Sequence, residues 1–157
     1  MDAVTLLRND HRAVEKLFKA FEKAKDSATK GQVVSEMITE LSVHAVIEEQ
    51  VFYPEVSREV DGARPMILES LEEHHIVKWV LSELEAMSAD DERFEAKATV
   101  LIENVRHHVQ EEEQELFPQV RDAMGRKRLS EMGEQMEDLK KRAPTHPQPR
   151  EESRAAS

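Results

Sequence analysis

The chain has 157 residues, long enough for one domain with a real core, and its 33 Asp and Glu against 22 Lys and Arg give a formal net charge of −11. That balance opposes a phosphate-backbone ligand, which needs clustered Lys and Arg, so no nucleic-acid partner is expected. A hydrophobic share of 39%, a charged share of 35%, four Gly and six Pro disfavour strands joined by tight turns and favour an all-α fold with charged outer faces.

In chain order, apolar residues at helical spacing predict four long helices and a shorter fifth. The first covers about residues 2 to 25, with Val4, Leu7, Val14, Phe18 and Phe21 on one face, and Asp26-Ser27 ends it. The second covers about 29 to 58 through Val34, Met37, Leu41 and Phe52, and is closed by Asp61-Gly62-Ala63-Arg64-Pro65. The third starts at Pro65, a favoured first-turn residue, and runs to Met87 through Ile67, Leu71, Val77, Leu81 and Leu84. Ser88-Ala89-Asp90-Asp91 supplies N-cap candidates for the fourth, which passes through Phe94, Ala98, Leu101, Val105 and Leu116 to about Ala123. Short connections make the neighbours antiparallel, an up-down-up-down four-helix bundle over residues 1–125. Leu129, Met132, Met136 and Leu139 predict an accessory helix at 126–142 that docks on the bundle. The Pro-rich and charged residues 143–157, including His146, predict a disordered tail.

What interrupts the apolar stripes is informative. His11 occupies an apolar position of the first helix, and Leu41, His44, Glu48 and Phe52 succeed one another on the second. His74 lies between Leu71 and Val77 on the third, while Val105, His108, Glu112 and Leu116 repeat the second helix's pattern on the fourth. Choosing His74 over His75 rests on the apolar Val77, Val80, Leu81 and Leu84 behind it; His75 would put Lys78 on the same face. His107 and Glu111 share their face with Glu103 and Asn104, so His75, His107, Glu111, Glu113 and Glu115 read as solvated surface, with a supporting role for His75 or Glu113 left open. Trp79 reads as packing.

An ionised Glu on a core face must be paired or bound to a cation. The spacing of 33 residues from His11 to His44 and 34 from His74 to His108 suggests two duplicated halves, each with His-x-x-x-Glu and a proline ten residues after the His, at Pro54 and Pro118. In antiparallel helices His11 and His44 each lie about 21 Å from their shared turn, so the donors meet at one level. Without Cys, thiolate and iron–sulfur sites are excluded. Imidazole and carboxylate together suit iron, and also manganese or zinc, and six donors suit two ions better than one zinc. The ferritin-type Glu-x-x-His occurs once, at Glu72 and His75, which disfavours that centre.

Together, Asn9-Asp10-His11, His44-Ala-Val-Ile-Glu48-Glu49-Gln50-Val51-Phe52-Tyr53-Pro54, Glu73-His74, and His108-Val-Gln-Glu-Glu112-Glu113-Gln114-Glu115-Leu116-Phe117-Pro118 resemble the hemerythrin-like family of His-His-Glu cation-binding bundles, in its H…HxxxE…H…HxxxE version, over about residues 2 to 123. The resemblance implies two iron ions, one on His11 and His44 and the other on His74 and His108, bridged by Glu48, Glu112 and an oxo or hydroxo group. Where oxygen-carrying members have a second His four residues after the one on helix three, this chain has Lys78, whose protonated amine has no lone pair. Tyr53 is a candidate to fill that place, because phenolate suits ferric iron. On an ideal helix, however, it points away from His44, and a distortion before Pro54 is required.

The resemblance leaves two functions open. One is reaction with dioxygen, peroxide or nitric oxide, including catalase-like or peroxide- and nitric oxide-processing turnover. The other is binding, storage or sensing of iron, dioxygen or nitric oxide without turnover. No apolar run exceeds three residues, against about 20 for a membrane span, and Met1-Asp2-Ala3-Val4 lacks the features of a secretory signal. The expectation is a cytoplasmic protein without a membrane partner, a monomer or weak homo-oligomer acting on a small molecule.

Overall fold

The computed structural model describes residues 1–147. Among them the chain forms helices and no strand. Helix α1 spans Ala3–Lys23 and α2 spans Ser27–Ile47. Each start is capped by an aspartate: the Thr5 N–H donates to Asp2 at 2.9 Å and the Thr29 N–H to Asp26 at 2.7 Å, which satisfies a backbone donor that the first turn leaves free. Asp26 thus begins the second helix rather than ending the first. Helix α2 continues through a π segment, Glu48–Phe52, into α3, Tyr53–Glu59. Helix α4, Arg64–Glu85, carries Pro65 in its first turn. The expected caps at Ser88 to Asp91 instead build a turn, in which the Arg93 N–H donates to Asp91 at 2.8 Å, and α5 starts at Phe94 and runs to Glu111. A second π segment, Glu112–Leu116, leads into α6, Phe117–Lys140.

These pieces make four antiparallel rods: α1, α2 with α3, α4, and α5 with α6. The fourth rod breaks at Gly125, whose φ of 74° and ψ of 169° are not helical, and beyond it the remainder of α6 is a separate helical segment that folds back on the bundle. There Leu129, Met132, Met136 and Leu139 pack with Ala3, Leu6, Phe52 and Val56, each buried side chain contributing about 1.5–3 kcal/mol. The approach to α1 is close. A Cβ on Gly133 would lie 1.9 Å from the Met1 carbonyl oxygen and 2.9 Å from the Asp2 carbonyl carbon.

Two apolar clusters result. One joins the start of α1, both π segments, α3 and α6; the other joins Val14, Phe18, Met37, Leu81, Leu101 and their neighbours toward the opposite end. Between them lies a buried polar layer of Asp10, His11, His44, Glu48, His74, His108 and Glu112. Trp79 corrects one expectation: it is 64% exposed and shares the outer face of α4 with the exposed Leu68 and Ile76. Of the expected tail, Ala143 packs against the α6 cluster and His146 pairs with Glu85; residues 148–157 lie outside the described residues. Among the described residues no helix is long and apolar enough to cross a membrane.

Candidate metal centre

The polar layer is assembled by helix geometry. His44 and Glu48, like His108 and Glu112, stand four residues apart and so occupy adjacent turns of one face. Pro54 and Pro118 reshape the turns that precede them. Proline offers no N–H, and its ring clashes with the carbonyl four residues back. Just ahead of each, the helix widens, and the Tyr53 N–H bonds to the Glu48 carbonyl and the Phe117 N–H to the Glu112 carbonyl, five residues back instead of four. Five residues then make roughly one turn. This is the distortion that Tyr53 required: it swings beneath Glu48, and Phe117 beneath Glu112.

All six side chains expected at the centre are brought together. His44 Nε2 and His74 Nε2 each lie 3.1 Å from Glu48 Oε1. Glu112 spans the two halves in the same way, with Oε1 3.2 Å from His11 Nε2 and Oε2 3.4 Å from His108 Nε2. The Nε2 atoms of His74 and His108 stand 3.2 Å apart. Two ligand groups emerge that share Glu48: His11, His44, Glu48 and Glu112, and Glu48, His74 and His108. Tyr53, 1% exposed, stands over the second group. Its hydroxyl donates to Glu112 at 2.6 Å and lies 3.2 Å from Glu48, 3.2 Å from His74 and 3.1 Å from His108. The matching position by the first group is Phe117, whose ring stacks on His11 at 5.8 Å. One half therefore presents a phenol where the other presents a plain ring.

Each imidazole is held from behind. The Nδ1–H of His11 donates to Glu113 at 2.7 Å, that of His44 to Asp10 at 3.0 Å, that of His74 to Glu49 at 2.8 Å, and that of His108 to Glu73 at 2.8 Å. A carboxylate on Nδ1 fixes the ring and turns the other nitrogen toward the centre. Two of these acids are themselves tied down, Glu49 by Lys78 at 2.6 Å and Asp10 by Lys140 near the end of α6. Lys78 therefore faces an outer carboxylate. Glu113, for which the solvated-surface reading left a supporting role open, is the partner of His11. Sequence reasoning misses Asp10, Glu49 and Glu73, although each adjoins a residue of the motif: Asp10 and Glu73 precede His11 and His74, and Glu49 comes after Glu48 as Glu113 comes after Glu112. His107 stays largely exposed against Glu111 at 2.7 Å.

The electrostatics call for cations. Burial alone would depress His44, but the Glu48 charge and the Asp10 hydrogen bond outweigh it and push the imidazole up to about 10. His108 is likewise raised against burial by Glu112, and Glu48 is held well below the usual carboxylate range by His44, again against burial. Burial and the charges of Glu112 and Glu48 push Tyr53 well above an ordinary phenol, so it keeps its proton and donates. Protons do not complete the cluster. The buried atoms His11 Nε2, His44 Nε2, Glu48 Oε2 and Glu112 Oε1 make no well-aligned hydrogen bond, although His11 Nε2 and Glu112 Oε1 lie 3.2 Å apart, a costly state in a core, and all belong to the convergent set. Nitrogen and carboxylate donors converging on one point, the imidazoles giving up their protons as an ion binds, fit a pair of first-row transition-metal ions.

Between α1, α2, α4 and α5, a cavity of about 40 Å³ adjoins the four imidazoles and is otherwise lined mainly by apolar residues, among them Val14, Leu41, Val77, Leu81 and Val105. Lys78 also lines it.

Comparison with known proteins agrees with this geometry. The chain is 28% identical over 141 residues to a hemerythrin-like protein of Schizosaccharomyces pombe, covering 89% of this chain and 70% of that one. It is 29% identical over 122 residues to a DNA nickase of Nostoc, which covers 78% of this chain but 34% of the nickase. Its fold matches the crystal structure of a hemerythrin HHE cation-binding domain-containing protein from Mycobacterium kansasii with a TM-score of 0.76, at 23% identity, over 90% of this chain and 86% of that one. The model of the hemerythrin HHE cation-binding domain matches residues 2–120, and the chain belongs to that family.

Proposed function

We propose that His11, His44, Glu48, His74, His108 and Glu112 hold two iron ions, with Tyr53 as a further ligand on the His74 and His108 side, and that the chain binds and turns over a small oxygen or nitrogen species: dioxygen, peroxide or nitric oxide. The observation that carries this reading is the set of four orphaned buried atoms on a convergent layer whose imidazoles are each aimed by an outer carboxylate. Glu48 and Glu112 each contact imidazoles of both halves, which supports a role for both carboxylates at each ion. The buried phenol favours iron over zinc, since phenolate is a ferric ligand. Two iron ions supply a two-electron couple, which dioxygen reduction or peroxide disproportionation requires.

The protein's own contribution is positioning and exclusion. Four carboxylates orient the imidazoles, two apolar clusters keep bulk water from the layer, and the cavity of about 40 Å³ exceeds the roughly 10–15 Å³ that one water needs, so a ligand of a few atoms fits beside the imidazoles. Metal analysis of protein from iron-supplied cells tests the centre, and about two irons per chain is the expected result. Oxygen evolution from added peroxide tests the turnover, and His44→Ala and Glu112→Ala should abolish it. A reversible spectral change with nitric oxide or dioxygen, without oxygen evolution, would convert the reading to binding or sensing.

A further inference from the structure

A second donor group sits on the surface just outside the buried layer. His107, one residue before His108 on α5, faces solvent, and its Nε2 lies 2.7 Å from Glu111 Oε1, the carboxylate four residues on. Glu73 of α4 reaches the same place: one donor atom from each of Glu73, His107 and Glu111 lies within 4.8 Å of the other two. The three side chains are 24%, 65% and 30% exposed, so the group is open to solvent. Glu73 is not a loose surface chain, because its Oε1 accepts the His108 Nδ1–H at 2.8 Å. That bond fixes the carboxylate between the buried imidazole and the outer pair. His107 and Glu111 also repeat, one residue earlier on the helix, the His-x-x-x-Glu spacing of His108 and Glu112.

One imidazole nitrogen and two carboxylates drawn from two helices match the preference of divalent first-row transition metals; magnesium and calcium favour oxygen alone. The chain's charge of −11 raises the cation concentration near such a surface. We propose that Glu73, His107 and Glu111 form a separate, solvent-open site for a divalent first-row transition-metal ion, linked to the buried layer through the carboxylate of Glu73. An ion there draws on the same carboxylate that orients His108, so its presence is felt at the centre. Its three donors are present whether or not the buried layer holds an ion.

Calorimetric titration of the full chain with Zn²⁺ tests this, comparing the wild type with His107→Ala, Glu111→Gln and His44→Ala. The surface variants are expected to lose one class of Zn²⁺ binding or weaken it at least about tenfold, as removal of a ligand does in a site of few donors. His44→Ala should keep that class, and a large excess of Mg²⁺ should leave it in place. Circular dichroism should show the same helix content in the wild type and both surface variants, since His107 and Glu111 lie outside the core. Equal Zn²⁺ uptake by the wild type and His107→Ala, or displacement by Mg²⁺, overturns the proposal. If iron fails to load while this Zn²⁺ class persists, the buried di-iron reading falls and the surface site stands.

Discussion

Tyr53→Phe separates two roles of one hydroxyl. In the metal-free protein that hydroxyl is buried and donates to Glu112 Oε2 at 2.6 Å. The substitution keeps the ring that packs against Phe52 and His74 and removes only the donor. A buried carboxylate oxygen stripped of its donor costs about 1–3 kcal/mol. With a urea slope of about 2 kcal/mol/M, the unfolding midpoint should fall by about 0.5–1.5 M. In the ferric protein the same change should abolish a visible phenolate-to-iron absorption band while leaving iron content near that of the wild type, because six other donors remain. Urea unfolding of the metal-free variant and the absorption spectrum of the loaded one are the measurements. An unmoved midpoint refutes the buried hydrogen bond to Glu112. An unchanged visible band removes Tyr53 from the ligand set.

Other perturbations probe the supports. Gly133→Ala drives a Cβ into the backbone of Met1 and Asp2 and should cost at least about 1–3 kcal/mol, as overpacking does; thermal unfolding would register it, and an unaltered midpoint would contradict the close approach. Asp10→Asn preserves the shape behind His44 but removes the charge, and outer-partner changes of this kind lower metal affinity about 10–100-fold; chelator competition measures it, and unaltered affinity would show that Asp10 does not support the ligand. The shifts also set a pH dependence. His44 is raised from 6.5 to about 10, so its contribution to metal-free stability is complete below about pH 6.5 and is lost as pH rises through about 10. Glu48 is depressed below 4.5, so its contribution is present above about pH 4.5 and lost on acidification. Metal-free protein should therefore be most stable between those limits, and metal uptake, which displaces the imidazole protons, should strengthen with rising pH. A midpoint that climbs from about pH 6 to pH 9 would contradict this.

The bundle and its inward ligands are legible because they break a periodic pattern: a His or Glu at a position that the stripe reserves for Leu or Val stands out. The outer carboxylates break no pattern. Asp10, Glu49 and Glu73 lie at positions where an acid is ordinary on an exposed helix face, and only the packing of neighbouring rods turns each toward a ring nitrogen. Tyr53 is visible as a candidate, with its geometric obstacle, and the widened turn before Pro54 removes that obstacle. The break before the docking segment is legible too, because Gly125 reads as a helix end and its backbone is not helical. Trp79 misleads by composition: a large ring at helical spacing suggests burial, but its angle on α4 faces away from all three other rods.

Two of the four outer carboxylates are exchanged between halves. Glu49, from the α2 rod, steadies His74 of α4, and Glu113, from the α5 rod, steadies His11 of α1, while Glu48 and Glu112 also reach across. Neither hairpin contains a finished coordination sphere, so the arrival of a first ion must draw both hairpins into register, and a second then meets donors already aligned. Loading should consequently be cooperative, recorded as a single steep step in a metal titration and not as two separated ones.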